Sequence, residues 1–245
     1  MLFRSTLTRL GIGGFSIADP DTFNVANFNR QLGADMNSVD RPKLEVMSEL
    51  ALAVNPELDL RRYSNGVTEG NLDEFLEGVD LYVDGLDFFV IEMREKVFAA
   101  CAERGIPAIT AAPLGMGTAF LAFMPGGMTF EEYFRTRGQP TREKLMRFLV
   151  GLSPAMLQMR YLVDPSSADF DHQKGPSTPM GCDLAAGVMG SMALKILVGR
   201  GTVPAAPYGL HFDAYRNKLA QTWRPGGMGN PLLQLVLRIA RRRIA

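Results

Sequence analysis

Ala18-Asp19-Pro20-Asp21-Thr22-Phe23, followed by Asn27-Phe28-Asn29-Arg30-Gln31 and, thirteen residues after the arginine, by Lys43, is the stretch on which the fold reading turns. The apolar run Phe15–Ala18 ahead of it reads as a strand. A carboxylate at the end of such a strand can accept the ribose hydroxyls of a nucleotide, a part that suits Asp19. A following arginine and lysine can grip a polyphosphate, the first by forked hydrogen bonds and the second as a point charge. Arg30 and Lys43 suit those parts. The plainer alternative is that Asp19, Asp21, Asn27 and Asn29 form turns and caps and that Lys43 is an ordinary first-turn lysine.

Upstream, Leu2, Phe3, Leu7 and Leu10 fit one face of a short helix that Gly11 and Gly13 end. Gly11-Ile12-Gly13-Gly14 is therefore read as a helix-ending turn and not as a phosphate loop. Downstream, Pro42 sits where a first helical turn tolerates it, and Leu44, Met47, Ala51 and Val54 follow at helical spacing up to Asn55-Pro56. Leu58–Tyr63 reads as a strand, Leu72–Leu76 as a short helix and Asp80–Asp84 as a strand flanked by carboxylates. Val90, Met93, Val97, Cys101 and Arg104 share one face of the next helix, and Pro107–Ala112 and Ala119–Met124 follow as strands. This alternation argues for parallel crossovers and a covered sheet. Phe130, Tyr133 and Phe134 then open a helical stretch, with a longer run from Arg142 to Leu162 that Pro154 should kink or divide. Asp164–Gly181 reads as a long loop, a lid or linker, and Asp183–Val198 as a small-residue helix. Leu210–Arg216 with Leu219–Trp223 makes a hairpin, and a helix from Pro231 ends the chain.

At 245 residues, 47% of them apolar and 21% charged, the chain can bury one sizeable core. Its 26 basic and 26 acidic residues cancel, so no global field recruits nucleic acid or membrane. Two cysteines, Cys101 and Cys182, make neither a disulfide framework nor a zinc pair, which fits a reducing cytoplasm. The two histidines, His172 and His211, make no metal or triad constellation. Arg238, Arg241, Arg242 and Arg243 are read as complementing the dipole of the last helix.

The Asp19-Pro20-Asp21, Asn27-x-x-Arg30-Gln31 and Lys43 spacing resembles the ThiF/MoeB/HesA and ubiquitin-activating-enzyme superfamily. The resemblance continues through Asn55-Pro56, through Asp84-Gly85-Leu86-Asp87 where the family has Asp-x-x-Asp, and into the helix Gly187–Val198. It covers roughly positions 7–124 and 182–216. It implies an α/β fold with a Rossmann-like, mostly parallel sheet flanked by helices, a helical insertion and a C-terminal β-hairpin. The expected organisation is one adenylating domain over 1–245, with a nucleotide-binding core at 1–125, the insertion and crossover loop at 126–181, and the late helix, hairpin and C-terminal helix at 182–245.

By the same resemblance the chain is an ATP-dependent adenylyltransferase domain. It would activate a carboxylate, such as the C-terminus of a ubiquitin-like or sulfur-carrier protein, and act as a homodimer. Asp19 and Asp21 would hold the nucleotide, Arg30 and Lys43 the phosphates, Asn27 and Gln31 would support them, and Asp87 would coordinate Mg²⁺ with help from Asp84. Cys182 lies where some members carry a catalytic cysteine; as a helix N-terminal thiolate it would accept an acyl group, and otherwise it is a small buried side chain. The alternatives in view are a tRNA-modification dehydratase of the same superfamily and a non-catalytic scaffold. The family's opening strand and Gly-x-Gly-Gly-x-Gly loop precede the point where Met1 stands. This leaves a truncated gene, a fragment or a degenerate homologue as readings, and the chain as given is expected to bind ATP weakly. Phe88 stands where the family often has asparagine, and no Cys-x-x-Cys zinc site occurs.

Overall fold

A computed structural model describes residues 2–161 and 177–243. The chain forms two compact units, Met1–Asp80 and Leu81–Ala245, each with its own sheet.

In the first unit α1 (Leu2–Arg9) ends at a turn whose Gly11 has φ +86°, and β1 (Gly14–Ala18) follows. The run Gly11–Gly14 is thus a helix-to-strand turn, as its position after an apolar helix requires. β1 pairs in parallel with β2 (Asp59–Tyr63), Gly14 opposite Asp59 and Ala18 opposite Tyr63. Between them runs a loop and then α2 (Lys43–Val54), which starts directly after Pro42. Val46 and Met47 of α2 bury Phe23, with Leu32 and Ala34 packed beside them. α3 (Leu72–Leu76) buries Phe75 and Leu76, and the Phe75 ring meets Tyr63 edge-on at 5.4 Å.

The second unit carries a five-stranded sheet in the order β3 (Tyr82–Asp84), β4 (Ala108–Leu114), β5 (Gly117–Phe123), β6 (Tyr208–Asp213), β7 (Lys218–Trp223). β3 and β4 pair in parallel across α4 (Ile91–Glu103). From β4 to β7 the pairings are antiparallel. The sheet is therefore mixed: helical crossovers give the parallel pairs, while the two residues Gly115-Met116 fold β5 straight back on β4. The α/β class, the flanking helices and the β6–β7 hairpin are as the sequence reads.

After β5 come two helices, α5 (Phe130–Phe134) and α6 (Thr141–Leu152). Thr129 opens α5 with a capping box, its hydroxyl accepting from the Glu132 amide while the Glu132 carboxylate accepts from Thr129. Phe98, Phe130, Phe134 and Phe148 stack in sequence at centroid distances of 4.7, 4.5 and 5.1 Å. The apolar run Arg142–Leu162 is divided as Pro154 dictates: α6 stops at Leu152, and the chain resumes as a 3₁₀ turn at Leu157–Arg160.

α7 (Pro179–Leu197) begins four residues before the expected start. Thr178 caps it, its hydroxyl accepting from the Gly181 amide at 3.1 Å, and Pro179 occupies the first helical position, where a missing N–H costs nothing. The expected loop Asp164–Gly181 thus ends sooner than read, and its 164–176 portion, with His172, lies outside the described residues. By length and composition α7 could cross a membrane, but it lies against β4 and β5 and buries Gly181, Ala185, Ala186, Met189, Gly190 and Ala193. The approach is close. A Cβ at Gly181 would stand 2.9 Å from the carbonyl oxygen of Gly115 and 3.1 Å from that of Gly117. A Cβ at Gly117 would run into the Phe212 carbonyl. α8 (Pro231–Arg243) closes the chain, burying Leu233 and Leu237.

Candidate functional site

In the first unit an antiparallel bridge between Thr22 and Pro42 closes the loop that follows β1. The Phe23 amide donates to Arg41 O at 3.0 Å and the Asp40 amide to Phe23 O at 2.9 Å, Asp40 taking a left-handed φ of +64°. This closure brings Lys43, the first residue of α2, back to the C-terminal end of β1. Its amide donates to Asp21 O at 2.9 Å and its Nζ to Asp21 Oδ2 at 2.9 Å. The lysine side chain is 8% exposed and that of Asp21 64%, so the cation is sheathed by protein while its counter-ion faces water. Asp19 Oδ1 accepts from the Asp21 amide at 3.2 Å. Asp19, Asp21 and Lys43 therefore form one cluster at a strand's C-terminal end, the position where open α/β sheets bind ligands.

Arg30 is held differently. Its Nη1 donates to Ala26 O and to Asn29 Oδ1, both at 2.8 Å, and these partners belong to its own turn and not to the Lys43 cluster. Asn27 is buried and its Oδ1 accepts from the Asn24 amide at 3.1 Å, fixing that turn. The Gln31 amide donates to Asn27 O, and its buried Oε1 has no partner among the described residues. Asn27 thus fixes the turn through its side chain, and Gln31 joins it through its backbone.

In the second unit β3 ends on Asp84 and the loop after it carries Asp87, and the structure separates these two aspartates of the Asp-x-x-Asp motif. Asp87 is exposed; Phe89 donates its amide to Oδ1 at 3.0 Å, which leaves Oδ2 towards solvent. Asp84 is buried, and the expectation that it assists Asp87 is corrected. Its Oδ2 accepts from Arg94 Nε at 2.8 Å and from Thr110 Oγ1 at 2.9 Å, and its Oδ1 from the Leu86 amide at 3.2 Å and the Tyr82 hydroxyl at 3.4 Å. No lone pair is left for an ion. Arg94 in turn donates Nη2 to Leu86 O and Asp87 O, donates Nη1 to Phe88 O, and lies over the Phe148 ring at 4.6 Å. The sequence reading gave Arg94 and Thr110 no part. The available signal was an arginine on the apolar side of α4, between Ile91 and Val97 at helical spacing.

Among the described residues no three His, Cys, Asp or Glu side chains gather to cage a metal. One exposed, partly pinned carboxylate suits magnesium, which keeps most of its waters and shares substrate phosphates. Asp87 fits that demand.

Cys182 is half-buried in the first turn and a half of α7, its amide already donating to Thr178 O at 3.1 Å. Cys101 is fully buried, and burial pushes its thiol up to about 12, which makes it an inert core residue. His211 is 1% exposed, its Nδ1 lies 3.1 Å from Ser153 Oγ, and its Nε2 has no partner among the described residues. Burial pulls this imidazole down to about 4 against the opposing field of Asp213, so it is neutral at pH 7. An open groove of about 620 Å³ lined by Gly127, Met128, Glu131, Glu132, Arg135 and Gly226 contains none of the expected site residues. Its carboxylates are engaged: Glu132 in the capping box, Glu131 with the Thr136 hydroxyl and the Arg137 amide.

The ThiF family model matches residues 2–231. The sulfur carrier protein ThiS adenylyltransferase of Escherichia coli is 28% identical over 119 residues, 49% of this chain and 47% of that protein. The tRNA threonylcarbamoyladenosine dehydratase of Haemophilus influenzae is 32% identical over 105 residues, 42% of this chain and 40% of that protein. These matches span less than half the length of the curated relatives. Among solved structures, that of Escherichia coli MccB with ATP superposes with a TM-score of 0.65 at 15% identity, covering 95% of this chain and 63% of that one. PaaA superposes with a TM-score of 0.66 at 14% identity, covering 91% and 59%. At such identities the superpositions speak for the fold.

Proposed function

The chain belongs to the ThiF family, and from that premise we propose that it is the nucleotide-handling part of an ATP-dependent adenylyltransferase. The observation that carries this reading is the Asp19–Asp21–Lys43 cluster at the end of β1. A carboxylate there is suited to ribose hydroxyls, and a sheathed lysine with a solvent-facing partner can exchange that partner for a phosphate at little cost. Arg30, on the neighbouring turn, would add a second cation to the phosphates.

In the reaction, an ionised acceptor carboxylate attacks the α-phosphorus, an oxygen–phosphorus bond forms, and the bond to the β-phosphate oxygen breaks with release of pyrophosphate. The acceptor needs no general base. What it needs is alignment and neutralisation of the charge that builds on the phosphate oxygens, and Lys43 and Arg30 supply positive charge for that purpose. Asp87 would hold magnesium, whose charge further neutralises the leaving pyrophosphate. The acceptor class we favour is the carboxylate terminus of a sulfur-carrier or ubiquitin-like protein, by analogy with the ThiS adenylyltransferase. A second reading, activation of the carboxylate of a modified tRNA base, draws on the dehydratase similarity; the balanced charge of the chain lends it no help. Both begin with the same adenylation. A homodimer is part of the proposal.

ATP–pyrophosphate exchange tests it. Lys43→Ala should lower exchange at least tenfold with the circular dichroism spectrum unchanged, and Arg30→Ala should lower it less. Exchange that is unchanged in both variants refutes the mechanism. Dependence of exchange on an added carrier protein or on tRNA separates the two acceptors.

A further inference from the structure

We infer that Arg94 is a positioning residue that sets the aim of the Asp87 carboxylate, an inference that rests on the reading of Asp87 as the magnesium carboxylate. The guanidinium has five N–H groups in a rigid fork. It spends one on Asp84, which anchors it, and Nη1 and Nη2 donate to three consecutive carbonyls: Leu86 O at 2.6 Å, Asp87 O at 3.1 Å and Phe88 O at 3.3 Å. Those carbonyls belong to Asp87 and to the residues on either side of it. Turning all three inward fixes the peptide planes flanking the Asp87 Cα, and the side chain is left facing outward, where it is exposed. The Phe89 amide then holds Oδ1 at 3.0 Å, so that both the backbone and one carboxylate oxygen are set.

A purely structural ion pair would have no need of this distribution. Asp84 is already bonded to Thr110, Tyr82 and the Leu86 amide, and Arg94 already rests on Phe148. The carbonyl contacts concentrate on the one exposed carboxylate of the loop. Lysine at this position could keep the charge opposite Asp84, but its ammonium is a point donor and cannot span three carbonyls.

The test uses the full chain as wild type, Arg94→Lys and Asp87→Asn, with Mn²⁺ binding in the presence of α,β-methylene-ATP followed by electron paramagnetic resonance. Hydrogen exchange at the Phe89 amide is read beside it. Asp87→Asn should abolish the bound Mn²⁺ signal. Arg94→Lys should weaken Mn²⁺ binding at least fivefold and accelerate exchange at Phe89 at least tenfold, while exchange at Cys101, in the body of α4, stays within twofold. Should Arg94→Lys fail to fold, the double variant Asp84→Asn/Arg94→Gln leaves no unpaired buried charge yet still lacks the three-carbonyl fork, and it should show the same two changes. Wild-type Mn²⁺ affinity in the folded fork-less variant, with the signal lost in Asp87→Asn, overturns the positioning role and spares the magnesium reading. An Asp87→Asn protein indistinguishable from wild type overturns both.

Discussion

Two aspartate–cation pairs on this chain look alike in sequence and differ in kind. Asp21–Lys43 has one partner sheathed and the other 64% exposed; in Asp84–Arg94 both side chains are 2% exposed. Water can replace Asp21 at the lysine, and so can a phosphate. Nothing can replace Asp84 without stranding a guanidinium inside protein. A charge is available for ligands where its partner is solvated and is committed to the fold where its partner is not. The adjacent Asp87 shows the result, since the committed pair holds the loop and the exposed carboxylate remains to do chemistry.

The contrast breaks most severely at Asp84. Asp84→Ala should cost roughly 3–5 kcal/mol of stability, because Arg94 is then buried without a counter-ion; urea unfolding by circular dichroism measures it, and a loss below about 1 kcal/mol would mean the pair is not committed. His211 sharpens the contrast with a buried group whose desolvation outweighs the field of the nearby Asp213. Its folded-state value of about 4 lies below the ordinary 6.5, so below pH 6.5 the unfolded chain takes up a proton that the folded chain refuses. Stability is therefore fully present above pH 6.5 and falls as the pH drops towards 4, by about 3 kcal/mol in all. His211→Gln should remove that part of the acid slope, read as the difference between its urea-midpoint profile and that of wild type from pH 7 to pH 4. At the small end, Asp21→Asn should cost about 1–2 kcal/mol, less than Asp84→Ala because only one partner of the pair is buried and an amide oxygen can still accept from Lys43. A thermal shift as large as that of Asp84→Ala would erase the distinction.

The sequence was most readable where local rules act alone. Leu72–Leu76 is a helix with the bounds expected, Asn55-Pro56 ends α2, and Pro154 divides the run after α5. The site cluster was readable in its members but not in its pairing. Asp21 meets Lys43 only because the Thr22–Pro42 bridge closes the intervening loop, a contact across twenty-two residues that no local period records. α4 shows the commonest error in miniature. Its apolar face was read through Val90, Met93, Val97, Cys101 and Arg104, whereas the buried face is Ile91, Arg94, Val97, Phe98 and Cys101. The two share Val97 and Cys101, and the reading leaves out Arg94, whose charge is paired inside the protein. The same miscount hid the role of Asp84, since the partner that buries it lies ten residues on. The β4–β5 hairpin was also missed, although Gly115-Met116-Gly117 carries the glycines that a two-residue connection uses.

Gly117 and Gly181 carry no functional group, yet they govern how freely this chain can drift over generations. At each, one added methyl meets backbone oxygen, the Phe212 carbonyl for Gly117 and the Gly115 and Gly117 carbonyls for Gly181, and no rotamer of a neighbour can make room. A lineage can trade Asp21 for another polar residue and survive with altered chemistry, but it cannot trade Gly181 and keep α7 on its sheet, or Gly117 and keep β5 against β6. Invariance at the two positions would therefore record how closely backbone passes backbone, and a survey that ranked residues by constancy alone would mistake that crowding for an active centre.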